Sequence, residues 1–170
     1  MMKLCTAAVL CVVATAIPTL PANAASKKDD EAKIRALENK FAAAFIAKDV
    51  NGIMAVYLPD ETLFVFDVVP PRQYVGAKAY RKDWEDFVAT LKGPVQFQIS
   101  ALAVAVDGNL GWGHSIQHVS STDTKGQPID LTVRVTDVYR KIKGNWLIVH
   151  EHISVPVDLD TGKPDLSSKP

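Results

Sequence analysis

The stretch IDLTVRVTDVYRKIKGNWLIVHEHISV, residues 129–155, decides the fold. Apolar and polar residues alternate on both sides of Lys143-Gly144, and successive side chains of a strand point to opposite faces. Lysine followed by glycine between two such runs is the chemistry of a two-residue hairpin turn. Two long antiparallel strands are therefore expected over 129–141 and 145–155.

The same pattern repeats toward the N-terminus. Residues 95–106 and 110–121 predict two further strands, separated by Asp107-Gly108-Asn109 and joined to the next by residues 122–128. Four sequential strands predict an antiparallel meander. Ahead of them the apolar period changes from two to three or four. Residues 29–48 predict an amphipathic helix with Ile34, Leu37, Phe41 and Phe45 on one stripe, capped by Ser26 or Asp29. A short helix over 50–58 stops at Pro59, a strand over 62–69 ends at Pro70-Pro71, and Tyr74-Val75 is a brief strand. Residues 77–91 predict a third helix, with Tyr80, Trp84, Phe87, Val88 and Leu91 at helical spacing and Gly93-Pro94 beyond its end. Helices followed by a meander predict an α+β domain, its helices across one sheet face and a cavity at the open end.

The last hairpin can be registered. With Ile142 opposite Asn145, Tyr139 faces Ile148, Asp137 faces His150 and Val135 faces His152. Directly opposed residues share a face. One face then carries Val133, Val135, Asp137, Tyr139, Trp146, Ile148, His150 and His152. The other carries Arg134, Thr136, Val138, Leu147, Val149, Glu151 and Ile153, with Arg134 and Glu151 as an ion pair. The first face, with its aromatic bulk and its acid–imidazole pair, is the expected pocket face.

The N-terminus points to export. Met1-Met2-Lys3 is a short basic start, residues 4–17 are apolar without a charge, and Ala22-Asn23-Ala24 is a small-x-small signal-peptidase pattern. The apolar run is too short to span a bilayer. Cleavage after Ala24 leaves a periplasmic or secreted protein without a membrane anchor; an uncleaved anchor is the competing reading. Both cysteines, Cys5 and Cys11, leave with that segment, which excludes disulfides and a cysteine nucleophile from the mature chain. Lys3 leaves too, so 19 acidic groups face 18 of the 19 basic ones. Without clustered Lys and Arg, no nucleic acid is expected as a partner. The expected division is a signal peptide over 1–24, one domain over 25–157 and a flexible tail over 158–170.

Two stretches resemble a known family. One is Phe66-Asp67-Val68-Val69-Pro70-Pro71-Arg72-Gln73-Tyr74-Val75-Gly76 with Trp84 in the following helix. The other is Tyr139-Arg140-Lys141, Gly144, Trp146 and Ile148-Val149-His150-Glu151-His152-Ile153-Ser154. Both resemble the SnoaL-like and ketosteroid-isomerase-like branch of the nuclear-transport-factor-2-like superfamily. The second is also similar to the association domain of calcium/calmodulin-dependent kinase II. The resemblance implies a cone-shaped barrel, a curved antiparallel sheet wrapped around N-terminal helices. It also implies chemistry without a cofactor. In the steroid isomerases an aspartate ending the first strand, nine residues before a glycine, is the general base, and Asp67 and Gly76 match. Their oxyanion-donating tyrosine falls on Phe41, which has no hydroxyl, and such a donor lowers the barrier by several kcal/mol. Steroid isomerisation is therefore not expected.

The candidate catalytic residues are Asp67, Asp137 and His150. Tyr57, Trp84, His114, Tyr139 and His152 are expected to line the pocket. For Asp67 the competing reading is a cap on the Pro70-Pro71 turn. For the histidines it is a satisfied core imidazole. His114 and His118 on one strand and His150 and His152 on another are zinc-compatible donors, but the resemblance implies pocket lining, and no metal is assigned. Three functions follow: a binder of a small, largely hydrophobic molecule; a cofactor-independent isomerase or dehydratase using Asp67 or an Asp137–His150 pair; and an assembly module. A homodimer through the sheet is the expected assembly.

Overall fold

The computed structural model describes residues 22–168. Of the segment read as a signal peptide, residues 1–21 lie outside that range. The elements run α1 (Ala22–Ile46), α2 (Val50–Met54), β1 (Phe64–Phe66), β2 (Tyr74–Val75), α3 (Ala77–Thr90), β3 (Gln96–Asp107), β4 (Leu110–Thr122), β5 (Pro128–Ile142) and β6 (Asn145–Ser154). Among the described residues the strands form one sheet in the order β2-β1-β6-β5-β4-β3. The β3–β6 meander is antiparallel as expected, whereas β1 joins β6 in parallel. The sheet is curved and unclosed, and α1 and α3 fill its concave face.

The core follows from the predicted stripes. Ile34, Leu37, Phe41 and Phe45 of α1, and Tyr80 and Trp84 of α3, are buried against the sheet. Helix α1 begins earlier than its expected cap because Ala22, Ala24 and Ala25 favour helix. Neither Ser26 nor Asp29 caps it. Asp30 instead turns inward, accepting from Lys141 Nζ at 2.7 Å and Trp146 Nε1 at 3.1 Å, and so ties α1 to the last hairpin. Helix α2 is shorter than predicted because the chain leaves it to join β6: Leu58 N donates to Ile148 O at 2.8 Å, and Ile148 N to Val56 O at 2.9 Å. Strand β1 is likewise short, since Asp67 Oδ1 accepts from Val68 N at 2.5 Å and Val69 N at 3.3 Å and turns the chain away.

One correction concerns register. The β5–β6 pairing runs as expected from Ile142–Asn145 to Tyr139–Ile148, and there a bulge intervenes. Val149 is passed over, and Val138, Asp137, Thr136 and Val135 face His150, Glu151, His152 and Ile153. A bulge puts two residues of one strand against one of the other, so everything beyond it changes faces. Both Ile148 and Val149 are buried, and Glu151 turns inward to 3 % exposure, while His150 and His152 turn outward. The expected Asp137–His150 pair and the expected Arg134–Glu151 ion pair are therefore both absent. Arg134 is exposed.

The segment expected as a loose tail folds back. Gly162 N donates to Asp158 O, Asp158 N to Lys163 O and Asp165 N to Pro156 O. Thr132 N of β5 donates to Leu166 O at 2.8 Å.

Candidate functional site: an acidic, aromatic cavity

Between α1, α3 and the sheet lies a cavity of about 120 Å³. Phe41 and Phe45 reach it from α1, and Asp83, Trp84 and Phe87 from α3. Asp67, Val68 and Val69 come from the turn after β1. Phe97, Gln117, Val119, Leu131, Val133, Glu151 and Ile153 come from the concave face of β3–β6. Helical spacing puts Phe41 and Phe45 on one face of α1, and their rings meet Trp84 edge-on at 5.6 and 5.2 Å.

The polar end is built from carboxyls and tyrosines. Burial raises the Asp67 pKa to about 6, with the nearby Asp83 charge adding to the effect and the Val68 and Val69 amides opposing it. Glu151 accepts from Tyr80 Oη at 2.6 Å and from Tyr57 Oη at 3.0 Å. Burial raises it to about 7, although both tyrosine hydrogen bonds pull the other way. Behind it, Tyr139 Oη donates to Glu38 Oε1 at 2.8 Å and lies 3.4 Å from Asp137 Oδ2. Burial, then the Glu151 and Glu38 charges, push the Asp137 carboxyl far above the usual carboxylate range. Burial likewise raises Glu38. No Lys or Arg enters this group, so the interior favours shared protons over full ionisation.

The expected site residues divide in two. Asp67 and Trp84 line the cavity, and Tyr57, Tyr139 and Asp137 stand behind it in the core. His114, His150 and His152 are on the convex face. His114 is exposed beside Trp112, and His152 is exposed beside Phe66, ring centroids 5.4 Å apart. His150 Nδ1 donates to Phe64 O at 2.8 Å. The histidines therefore do not line the cavity. Among the described residues no cluster of three or more His, Cys, Asp or Glu is placed to hold a metal ion.

Sequence reasoning missed Glu151, Tyr80, Glu38 and Gln117 as site residues. Glu38 was detectable, since it is four residues from Ile34 and falls on the buried stripe of α1. Glu151 was not, because the bulge that inverts it leaves no mark in the alternation.

The sequence profile of the SnoaL-like domain matches residues 34–158. No curated protein matches the chain. A nuclear-transport-factor-2-like protein of unknown function from Pseudomonas putida is 31% identical, with 84% of this chain and 98% of that one covered and a TM-score of 0.76. A candidate dehydratase of the same family from Streptomyces avermitilis is 16% identical over 75% of this chain and 97% of that one, TM-score 0.65. A ketosteroid isomerase-like protein from Erwinia carotovora atroseptica is 16% identical over 74% and 95%, TM-score 0.63. The last two share the fold alone. The profile spans most of the chain and the first structure matches nearly end to end, and so this chain belongs to the SnoaL-like family of the nuclear-transport-factor-2-like superfamily.

Proposed function

We propose that this chain is an exported protein that binds a small, largely hydrophobic molecule in the cavity between α1, α3 and the sheet. The observation that carries the reading is the wall: five aromatic rings and a set of aliphatic side chains, closed at one end by Asp67 and Glu151. Apolar cavities with a few convergent polar groups and perturbed carboxyls are where small molecules bind. Residues 1–24 support export to the periplasm or beyond. Phe66 and Trp112, 37 % and 51 % exposed on the convex face, support pairing of two copies there.

A second reading is favoured by Asp67. A carboxyl at about 6 is matched to proton abstraction near neutral pH, as in a cofactor-independent isomerase or dehydratase. The Streptomyces and Erwinia structures carry such descriptions on this fold.

One experiment separates the two. Purified protein is screened against small hydrophobic alcohols, phenols and carbonyl compounds by thermal shift, with product analysis of each hit. Binding alone raises the melting temperature and leaves the compound intact. The enzyme reading expects product with the wild type and none with Asp67→Asn, whose melting temperature at pH 5, where Asp67 holds its proton, stays near the wild-type value. A screen in which no compound shifts the melting temperature defeats the binding reading.

A further inference from the structure

Gln117 stands in the cavity wall with hydrogen-bonding capacity that the protein does not use. It belongs to β4, is 6 % exposed and lines the cavity. Its cross-strand partners are Ile99 and Val133, and Val119 follows two residues on. Directly opposed residues share a face, so the sheet around it is apolar apart from Ser115. Among the described residues its amide makes a single hydrogen bond, Nε2 donating to Ser115 Oγ at 3.3 Å. Oε1 receives no donor, yet it is not sealed into the wall as the Trp84 Nε1–H is. A buried carbonyl is costly to leave unmet.

The carboxyls of the wall are already served. Asp67 accepts from the Val68 and Val69 amides, Glu151 from Tyr57 and Tyr80, and half-buried Asp83 from Tyr74 Oη at 2.6 Å. No Lys, Arg or His lines the cavity, so an anion meets repulsion and desolvation there. An ammonium brings three donors, more than one open carbonyl can satisfy. A ketone or an ether brings none, and a hydroxyl brings one. Size sets the skeleton. An apolar cavity of about 150 Å³ holds one benzene, and this one measures about 120 Å³. By that measure about five non-hydrogen atoms fit, fewer than any substituted benzene has.

We infer that the cavity takes a short aliphatic alcohol of about five non-hydrogen atoms, its hydroxyl donating to Gln117 Oε1. Its carbons pack against Phe41, Phe45, Phe97 and Val119, which form the wall on either side of that carbonyl. The inference rests on the small-molecule reading above and narrows it in size and in polarity. A site that pairs with a hydroxyl discriminates against the analogue lacking one, because its own polar group is then left unmet.

The test titrates four probes into the isotope-labelled mature chain and follows its amide signals by NMR. Butan-2-ol, butanone and 2-methylbutane share one size and differ in the group at one position; 1-phenylethanol enlarges the alcohol by a ring. Butan-2-ol is expected to bind about fivefold or more tighter than butanone, the worth of one hydrogen bond, and 1-phenylethanol not to bind. In Gln117→Met the affinity ratio of butan-2-ol to 2-methylbutane is expected to fall about fivefold, with 2-methylbutane itself within about twofold of its wild-type affinity. If that variant fails to fold, the comparison of alcohol with ketone on the wild type decides alone. The inference is overturned if butanone binds as tightly as butan-2-ol, if the ratio survives Gln117→Met, or if 1-phenylethanol binds as tightly as butan-2-ol. Each of those results leaves the small-molecule reading standing. Binding of none of the four overturns the inference, and the thermal-shift screen above then decides the broader reading.

Discussion

Asp137 lies opposite Glu151 across β5 and β6, two buried carboxyls on neighbouring strands with no cation beside them. Such a pair cannot ionise fully in a medium that solvates charge poorly. It is tolerated because Tyr57 and Tyr80 donate to Glu151, and because burial holds Asp137 in its protonated form.

Stability is expected to fall as pH rises from 5 to 8. The folded-state pKa values of Asp67 and Glu151 are raised, to about 6 and about 7, so in this window the native chain binds more protons than the unfolded chain. The slope of unfolding free energy with pH is then negative until both have ionised. Asp30 is shifted the other way by its Lys141 bond, and its contribution is lost only below the ordinary carboxyl range, outside the window. For Asp67 alone the loss is at most about 3 kcal/mol, from 1.36 kcal/mol per unit. Urea unfolding at pH 5, 6, 7 and 8 measures the slope, and Asp67→Asn should flatten it. A stability that climbs across this range contradicts the assignment.

Tyr80→Phe is expected to cost about 1.5–3 kcal/mol, the range for a hydrogen bond to a charged group. The ring and its contacts with Tyr57 and Trp84 remain, while the bond to Glu151 Oε2 and the hydrogen-bond support that the hydroxyl gives Asp67 are lost. Because that bond lowers the Glu151 pKa, its removal should also move the pH midpoint of the stability curve upward. Equal stability for variant and wild type at pH 8 would show that the bond does not hold the carboxylate.

Gly113→Ala is expected to destabilise by about 1–3 kcal/mol through overpacking. A Cβ there would come within 2.9 Å of Ala103 O and 3.1 Å of Tyr139 Oη. The missing side chain lets the tyrosine hydroxyl lie over β4 while reaching Glu38. Thermal unfolding of the variant checks the cost, and a neutral effect would mean that Tyr139 is free to move.

Trp112→Glu bears on assembly. The convex face brings Trp112 beside His114 and Phe66 beside His152, with Val138 between the strands that carry them. A charge at the centre of such a face opposes its burial against a second copy. Light scattering is expected to give a dimer mass for the wild type and a monomer mass for the variant. A monomeric wild type rules the dimer out.

How much of this could be read from the chain divides along physical lines. The stripe of α1, the third helix and the four-strand meander were legible because burial imposes a period that composition displays. The α+β architecture follows from them. The site was half legible. Asp67 and Trp84 stand where their local pattern puts them, on a strand end and on a helix stripe. The histidines do not, because the Asp137–His150 pairing assumed that alternation runs unbroken from the turn. Ile148 and Val149 are both apolar, so each phase of alternation fits the residues after them. What chooses between the phases is the demand of Tyr57 and Tyr80 for an acceptor, and that is a contact between distant segments.

The return of the C-terminal segment has a consequence of its own. Strand β5 starts at Pro128, but its pairing with β6 ends at Arg134 and Ser154. Leu166 O, by accepting from Thr132 N, occupies the open side that β6 leaves uncovered. Open strand edges recruit further strands from other molecules. Chains ending at Val157 are therefore expected to keep the cavity but lose solubility, detectable as concentration-dependent turbidity on mild warming. Residues 158–168 then act as a guard against polymerisation, a task separate from anything the cavity does.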